Sequence, residues 1–344
     1  MSGAASGPIR VRVVIPCRNE AGFIGPCLKS IVAADRAGME LEAWVCDGMS
    51  EDSTRAEISA LQHAHPWVKL VDNAARTTPQ AMNLGLQPEG YEVGILLGAH
   101  AEVAADFFRQ NLAMLAQHPA AGCVGGIIEN VYTDAESRRI GAAMGHPFGV
   151  GSAHFRTGLR EGEVDTVAFG AYRREALTAI GFVDERLSRN QDDELNYRLR
   201  KAGWRIILSS RIRSRYYVRS SMTRLFRQYW QYGYWKVYVN RLHGTVTTWR
   251  QVVPTAFVLY LAFGIAAALL HPWLALAFAA GNTLYLLAAV ASALHAAHRI
   301  ADVPGVLSAF LTLHFAYGTG YLRGLLDFML LRREPKGSAA RNSR

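Results

Sequence analysis

Two short polar segments at predicted strand ends carry residue types that bind an anionic or nucleotide ligand. The first ends with Pro16, Arg18 and Glu20, and the second contains Asp47. Backbone amides at a strand-to-helix turn favour an anion, and the Asp47 carboxylate can accept hydrogen bonds from a nucleotide base. An ordinary helix N-terminus explains the first segment equally well. Helix capping explains the nearby Asp52 better than ligand binding does.

A cluster of carboxylates opens a predicted helix later in the chain, at Asp192, Asp193 and Glu194. A carboxylate within hydrogen-bond reach of a hydroxyl group can act as a general base and take its proton. An acidic first turn is also stabilised by the helix macrodipole without any catalytic role. On these residues alone, the structural explanation is preferred.

Strand and helix patterns alternate in the first half of the chain, and this predicts the architecture that holds these residues. Alternation of this kind indicates an α/β fold with a mostly parallel, Rossmann-like sheet and helices on both faces. Ligands in such folds bind beyond the carboxyl ends of the strands, so the loops after Pro16, Val45 and Leu97 should lie close together. The predicted strands are Val11–Pro16, Leu41–Cys46, Val68–Val71, Val93–Leu97, Gly122–Val131, Val164–Gly170 and Trp204–Leu208.

Positive charge is concentrated just before an apolar region. The formal net charge is +9, and no Asp or Glu occurs from Leu195 to Ala301. This stretch favours a cytoplasmic position beside a bilayer and attraction to anionic or pyrophosphate-bearing lipids. Nucleic-acid binding is not expected, because no nucleic-acid-binding motif accompanies the charge. The bases include Arg205, Arg211, Arg213, Arg215, Arg219, Arg224, Arg227, Lys236 and Arg241.

Residues 251–331 are expected to form two or three membrane helices. Val253–Leu270 and Trp273–Leu294 each approach the ~20 residues that a spanning helix needs. The Tyr- and Trp-rich residues 221–250 predict a basic, aromatic helix at the membrane interface. Val306–Leu322 is either a third span or a re-entrant helix, because three full spans would place the basic tail, residues 332–344, outside the cell.

The remaining expectations concern domain limits and compartment. Residues 1–9 are predicted to be disordered and residues 10–220 to form the α/β domain. The N-terminus lacks the apolar core of a secretory signal, so export of this domain is not expected. Scattered spacing of the cysteines is typical of reduced thiols in a cytosolic protein. They are Cys17, Cys27, Cys46 and Cys123.

Several blocks, in this order and spacing, resemble the family 2 glycosyltransferases with the GT-A fold. Two blocks surround Arg18 and Asp47, and a third contains Arg76 and Asn83. The others are Val167–Arg174, Gly181–Glu185 and Gln191–Arg200. The last of these and the stretch His146–Gly151 are similar to the ExoA-like branch, which acts in succinoglycan-type exopolysaccharide biosynthesis. The resemblance covers roughly residues 10–240.

The resemblance implies roles for individual residues. It makes Asp192 the catalytic base, within a motif that reads Gln191-Asp192-Asp193-Glu194 where the family usually has Glu-Asp-x-Asp. With the neighbouring blocks present, this catalytic role is favoured over a simple helix start. The implied nucleotide-sugar site comprises Pro16, Arg18, Glu20, Asp47, Arg76, Asn83 and Ala99. The implied acceptor or donor-sugar site comprises Gly170, Ala171, Asp193, Arg227, Gln228 and Trp230.

One motif departs from the family pattern. The metal-binding Asp-x-Asp is replaced by Gly98-Ala99-His100, and glycine offers no side-chain ligand. His100 or Glu102 is then left to bind a divalent cation, either Mn²⁺ or Mg²⁺, and an imidazole ligand favours Mn²⁺. A degenerate site with weak or lost metal binding is the alternative.

The implied function is inverting transfer of a sugar from a nucleotide sugar, a UDP-hexose, to a lipid-linked or polysaccharide acceptor. Its expected setting is the bacterial inner membrane, as a multi-pass protein with a cytoplasmic catalytic domain and lipid contacts. Two alternatives stay open. Gly98 allows a catalytically impaired scaffold in a membrane polysaccharide-assembly complex. A processive synthase is the other, although two or three spans are few for a polymer channel and residues 227–230 match the processive Gln/Arg-Trp motif only partly.

Overall fold

The computed structural model describes residues 7–218, 220–247 and 249–335. Most of the predicted disordered N-terminus, at residues 1–6, and the end of the predicted basic tail, at residues 336–344, lie outside the described residues. The described chain forms two compact units. One unit contains residues 7–129 and 158–216, and the other contains residues 130–157 and 217–334. Residues 130–157, which the sequence analysis assigns to the α/β domain, thus group with the C-terminal helices.

A mixed sheet forms the centre of the first unit. Its strands are β1 (Ile9–Cys17), β2 (Met39–Asp47), β3 (Val68–Asp72), β4 (Val93–Leu96), β5 (Ala101–Val103), β6 (Ala121–Val131), β7 (Gly162–Glu163), β8 (Ala168–Arg173) and β9 (Arg205–Tyr217). The strand order is β3-β2-β1-β4-β8-β6-β9-β5, and β7 pairs with β9. Strands β1 to β4 are parallel, so the predicted parallel arrangement is confirmed for this half of the sheet. Strand β8 runs antiparallel to β4 and β6, so the second half of the sheet is antiparallel.

Helices follow most of these strands. They are α1 (Ile24–Ala33), α2 (Thr54–Ala64), α3 (Thr78–Leu86), α4 (Phe107–Gln117), α5 (Ala135–Met144), α6 (Pro147–Val150), α7 (His154–Thr157), α8 (Arg174–Ile180), α9 (Gln191–Lys201), α10 (Met222–His243), α11 (Val253–Ala268), α12 (Pro272–Ala296) and α13 (Val303–Gly324). Short 3₁₀ turns precede α11 and α13, at Trp249–Val252 and Ile300–Asp302. A π-helical turn, Leu325–Leu330, continues α13.

The first unit is held together by apolar side chains on both faces of the parallel strands. Val13 and Ile15 of β1 are fully buried, as are Ile24 and Leu28 of α1. Parallel strands covered on both faces have this nearly continuous apolar sequence. Helix α3 packs very close to β1, since a Cβ atom on Gly85 would lie 2.5 Å from Cγ1 of Val14. Glycine at this position therefore sets the distance between α3 and the sheet.

The second unit is built from long helices. Helix α10 packs closely against α13, because a Cβ atom on Gly233 would lie 2.1 Å from the carbonyl oxygen of Tyr317. Two helices, Pro272–Ala296 and Ile300–Leu330, are long and apolar enough to cross a membrane. The first predicted span is shorter than expected, since α11 has only 16 residues. Val306–Leu322, which the sequence predicts to be either a third span or a re-entrant helix, lies within the longer of these two helices.

Candidate active site

The loops after β1 and β2 are joined by hydrogen bonds. The N–H of Asn19 donates to Oγ of Ser50 at 2.7 Å, and the N–H of Glu20 donates to Oγ1 of Thr54 at 2.7 Å. Asn19 adopts a φ of 50°, a left-handed conformation that asparagine tolerates better than most residues. The first two polar segments therefore meet at the carboxyl end of the sheet, as the sequence predicted.

Asp47 is fully buried, and neighbouring side chains fix its carboxylate. The N–H of Ser50 donates to it at 3.0 Å, the Ser50 hydroxyl also donates, and Nη1 of Arg55 donates at 2.7 Å. Nη2 of Arg55 donates to Oδ1 of Asp72 at 2.8 Å. Arg55 was not identified from the sequence, because its spacing from Asp47 across the loop does not indicate a contact. Contact between Asp47 and a nucleotide base stays a prediction.

Asp52 lies one residue before Ser53, the N-cap of α2, and its side chain holds the start of the helix in a manner close to the capping role that the sequence favoured. Its carboxylate accepts hydrogen bonds from the N–H of Thr54 at 3.0 Å and from the N–H of Ala21 at 3.3 Å. Desolvation opposes ionisation here, but the hydrogen bonds from Thr54 outweigh it and lower the pKa of Asp52. The residue thus holds the start of α2 and the loop after β1 together.

Two arginines lie in or near these loops. Arg18 packs against the second loop, where a Cβ atom on Gly48 would lie 3.2 Å from its Cβ and Cδ atoms. Its Nε is buried and has no hydrogen-bond partner among the described residues. Arg76 is exposed, has a φ of 61°, and has Nη1 3.9 Å from Glu51. Pro16 lies beside Cys46 in the β1–β2 pairing.

Asn83 is buried in α3 and joins this helix to the segment after α8. Its amide donates to the carbonyl of Val183 at 2.9 Å and to Oε1 of Glu185 at 2.8 Å. Its oxygen accepts from the N–H of Val183 at 3.0 Å. In the structure this side chain fixes one part of the unit to another, and a direct nucleotide contact stays a prediction.

The third loop brings His100 to Glu20. Nδ1 of His100 lies 2.8 Å from Oε2 of Glu20, and both side chains are about four-fifths buried. A tight turn, in which the N–H of Ala101 donates to the carbonyl of Gly98 at 3.0 Å, precedes the contact. The carboxylate of Glu102 instead pairs with Arg215 at 3.4 Å. Among the described residues, no group of three or more His, Cys, Asp and Glu side chains is arranged to hold a metal ion.

Strand β8 begins beside this third loop. A Cβ atom on Gly98 would lie 3.1 Å from Cε1 of Phe169, so the phenyl ring packs against the glycine. Phe169 has a φ of 49°, an uncommon conformation for a bulky residue, and such strain is concentrated at functional sites. Gly170 and Ala171 follow it and are buried in the strand, as is Ala99 in the loop. A Cβ atom on Gly170 would lie 2.7 Å from Sγ of Cys123.

Asp192 is exposed in the first turn of α9, which begins after Asn190 in the left-handed conformation. The N–H of Asp193 donates to Oδ1 of Asp192 at 2.9 Å. Glu194 is 2% exposed and accepts two hydrogen bonds from Arg198, at 2.7 and 2.8 Å. Nε2 of Gln191 is buried with no hydrogen-bond partner in the part of the chain that the structure describes. Of the three acidic residues, Glu194 is committed to structure, while Asp192 is accessible to a substrate.

The remaining predicted site residues lie in the second unit. Arg227, Gln228 and Trp230 are in α10, and Arg227 is exposed. Nε2 of Gln228 donates to the hydroxyl of Tyr232 at 2.8 Å. Trp230 stacks on Tyr234 with ring centroids 5.2 Å apart. Their role toward an acceptor stays a prediction.

Comparison with known proteins gives consistent matches. Residues 12–181 match the model described as glycosyl transferase family 2. The chain is 30% identical over 322 residues to "Succinoglycan biosynthesis protein ExoA" of Rhizobium meliloti, covering 92% of this chain and 95% of the relative. It is 28% identical over 231 residues to a Methanococcus voltae protein named as a dolichyl N-acetyl-alpha-D-glucosaminyl phosphate 3-beta-D-2,3-diacetamido-2,3-dideoxy-beta-D-glucuronosyltransferase, covering 65% of this chain and 71% of the relative.

A solved structure supports the expected architecture. The mannosyltransferase PcManGT from Pyrobaculum calidifontis, in complex with GDP-Man and Mn²⁺, aligns with a TM-score of 0.62 and 19% sequence identity. The alignment covers 91% of this chain and 88% of PcManGT. The similarity confirms the GT-A fold that the sequence blocks predicted.

Proposed function

The chain belongs to glycosyl transferase family 2 and is a glycosyltransferase, and from this premise we propose that it transfers a hexose, with inversion, from a UDP-sugar to a lipid-linked or polysaccharide acceptor. The reaction would serve exopolysaccharide or cell-envelope biosynthesis. The observation that carries the proposal is the exposed Asp192 at the start of α9, in the same unit as the joined loops of Asp47 and His100.

Asp192 is proposed as the catalytic base. Its carboxylate takes the proton of an acceptor hydroxyl while that oxygen forms a bond to the anomeric carbon of the donor. The bond from the anomeric carbon to the diphosphate oxygen breaks, and the nucleoside diphosphate leaves with the electron pair. Attack from the face opposite the leaving group inverts the anomeric configuration. Glu194 is a weaker candidate for the catalytic base because its buried carboxylate forms an ion pair with Arg198.

The nucleotide is proposed to lie over the joined loops. Arg18 supports this assignment because it packs against Gly48 in the joined loops and its guanidinium group can donate charge-assisted hydrogen bonds to a phosphate oxygen. Asp47 is held in one orientation by Arg55, which suits recognition of a base edge. The other proposed contributors to the donor site are Pro16, Glu20, Arg76, Asn83, Ala99, Gly170, Ala171 and Asp193.

A divalent cation is proposed to accompany the donor, as Mn²⁺ does GDP-Man in PcManGT. His100 would hold such a cation, because Glu20 orients the imidazole through its other nitrogen. A cation in this position neutralises negative charge on the leaving group. Since an imidazole is the chain's contribution, we favour Mn²⁺ over Mg²⁺.

The acceptor is proposed to reach the enzyme from the membrane. The ExoA relative is named for succinoglycan biosynthesis, and two helices of this chain are long and apolar enough to span a bilayer. Arg227, Gln228 and Trp230 in α10 are proposed to contact the acceptor. The basic region before α11 supports a cytoplasmic catalytic domain on the bacterial inner membrane, in a multi-pass protein that contacts lipids.

A donor screen on membranes tests the proposal. Membranes with the protein, and matched membranes without it, are incubated with single nucleotide sugars and a lipid extract, with added Mn²⁺ or with a chelator. We expect nucleoside diphosphate release from one donor, dependent on the protein, the lipid extract and Mn²⁺, and a sugar of inverted anomeric configuration in the product. Absence of release with every donor and metal would contradict the proposal and favour a scaffold.

A further inference from the structure

Helix α9 carries the proposed base, and a buried polar cluster fixes this helix to the sheet. The hydroxyl of Tyr172 in β8 donates to Oδ1 of Asn196 at 3.0 Å. Nδ2 of Asn196 donates to Oγ1 of Thr166 at 2.9 Å. Tyr172 and Asn196 are at most 1% exposed, and Thr166 is 8% exposed. Buried side-chain hydrogen bonds of this kind fix orientation strongly, because an unpaired partner would be left without water.

The cluster acts on the helix face that bears the base. Asp192 and Asn196 are four residues apart, so they lie one above the other on the same face of α9. Burial raises the pKa of Tyr172 well above its ordinary value, and the nearby thiol of Cys123 and the charge of Asp192 raise it further. The phenol is therefore protonated at neutral pH, donates to Asn196, and lies within electrostatic reach of Asp192.

A second contact holds another face of the same helix. Arg198, paired with Glu194, donates from Nη1 to the carbonyls of Ile180 and Gly181 at 2.7 and 2.8 Å. It also donates from Nη2 to the carbonyl of Phe182 at 2.7 Å. Leu195 and Leu199 of α9 are fully buried, and the Tyr172–Asn196 hydrogen bond adds a directional contact that helps to fix the rotation of the helix about its axis.

We propose that Tyr172 and Asn196 are positioning residues that set the rotation of α9 and so hold the Asp192 carboxylate at the acceptor hydroxyl. The inference rests on the proposed function of Asp192. Under this proposal, loss of the Tyr172–Asn196 hydrogen bond lowers the rate of sugar transfer, whereas a purely structural role would lower only stability. A misplacement of about 1 Å at a reacting group can lower a rate on the order of 100-fold.

Tyr172→Phe tests the inference, because it removes only the hydroxyl. We expect kcat for transfer to fall by about 10- to 100-fold, while the donor KM and the Kd for UDP stay within about twofold of wild type. The matched control is Tyr91→Phe, since Tyr91 is 4% exposed and its hydroxyl donates to the carbonyl of Leu86. We expect this control to lose a similar amount of thermal stability and to keep its kcat.

A second pair of variants covers the case in which Tyr172→Phe does not fold. Thr166→Val removes the acceptor for Asn196 and should lower kcat, whereas Thr166→Ser keeps the hydroxyl and should restore it. Wild-type kcat in Tyr172→Phe or in Thr166→Val, with a lowered Tm, would overturn the inference and leave a structural role only. A parallel rise in the Kd for UDP would overturn it as well. If wild type transfers no sugar, the proposed function itself fails. If Asp192→Asn transfers sugar at a rate close to wild type, the assignment of Asp192 as the base fails.

Discussion

Nδ1 of His100 lies 2.8 Å from the carboxylate of Glu20, and this contact joins the loop after β4 to the loop after β1. Histidines that bind metals usually place their second ring nitrogen against a carboxylate in this way. The contact fixes the ring, and we propose that Nε2 is the nitrogen that binds a cation. Under this proposal, the Gly98-Ala99-His100 motif binds a metal without the aspartate that the family usually has.

Glu20→Gln should weaken this arrangement without removing the imidazole. We expect the Mn²⁺ concentration for half-maximal activity to rise by about 10- to 100-fold, the usual effect of losing such a carboxylate partner. The measurement is a Mn²⁺ titration of donor consumption in solubilised protein. Glu163→Gln is the matched control, because Glu163 forms an exposed pair with Arg205 at 3.6 Å. Equal titration curves for both variants would contradict a role for Glu20 at the cation.

Gly98→Asp should restore a carboxylate ligand. A Cβ atom there would lie 3.1 Å from the Phe169 ring, so the ring must move by a few tenths of an ångström. We expect the variant to fold, to need less Mn²⁺ for half-maximal activity, and to bind Mn²⁺·UDP more tightly in calorimetry. Unchanged metal dependence in a folded variant would show that the loop does not face the cation.

Arg55→Ala should destabilise the first unit by leaving the buried Asp47 carboxylate without its cationic partner. Since Asp47 is fully buried whereas the Arg55 side chain is 35% exposed, we expect the free energy of unfolding to fall by about 2 kcal/mol. Arg186→Ala removes an exposed partner of Asp184 and should cost under about 1 kcal/mol. Denaturant titration of both variants in detergent gives the comparison, and equal losses would argue against a stabilising role for Arg55.

The buried cysteines should be inert in the native protein. Burial raises the pKa of Cys27 and of Cys46 to about 12, and it raises the pKa of Cys123 as well. Because only the thiolate reacts with iodoacetamide, these side chains stay protonated and unreactive near pH 8. Mass spectrometry should find them unlabelled in active protein and labelled after denaturation. Rapid native labelling of Cys27 would contradict the burial.

Local patterns in the sequence predict the parallel half of the sheet well. Strand β4 and the middle of β1 are buried on both faces and read as continuous apolar runs, whereas β2 and β3 are partly exposed and are marked by the polar loops after them. Strands β5 and β7 have three and two residues, too short to give a period that sequence inspection can detect. The pair Glu194–Arg198 has the four-residue spacing of a helical ion pair, so it was predictable from the sequence, although no such prediction was made.

Contacts between distant segments account for most of what the sequence did not reveal. Glu20 and His100 are 80 residues apart, and Tyr172 and Asn196 are 24 apart. Nothing in the composition of either segment identifies its partner, because the register of the sheet and the packing of α9 decide which side chains meet. Likewise, the hydrogen bonds from the Asn83 amide to Val183 and Glu185 were not predicted, and its role at the nucleotide stays a prediction.

The most direct test of the account compares Asp192→Asn with Asp193→Asn in the same membranes, using the donor found by the screen. We predict that Asp192→Asn lowers kcat for transfer by about 100- to 10,000-fold while its Kd for UDP stays at the wild-type value, and that Asp193→Asn has a much smaller effect. Transfer by Asp192→Asn at a rate close to wild type would contradict the assignment of Asp192 as the base.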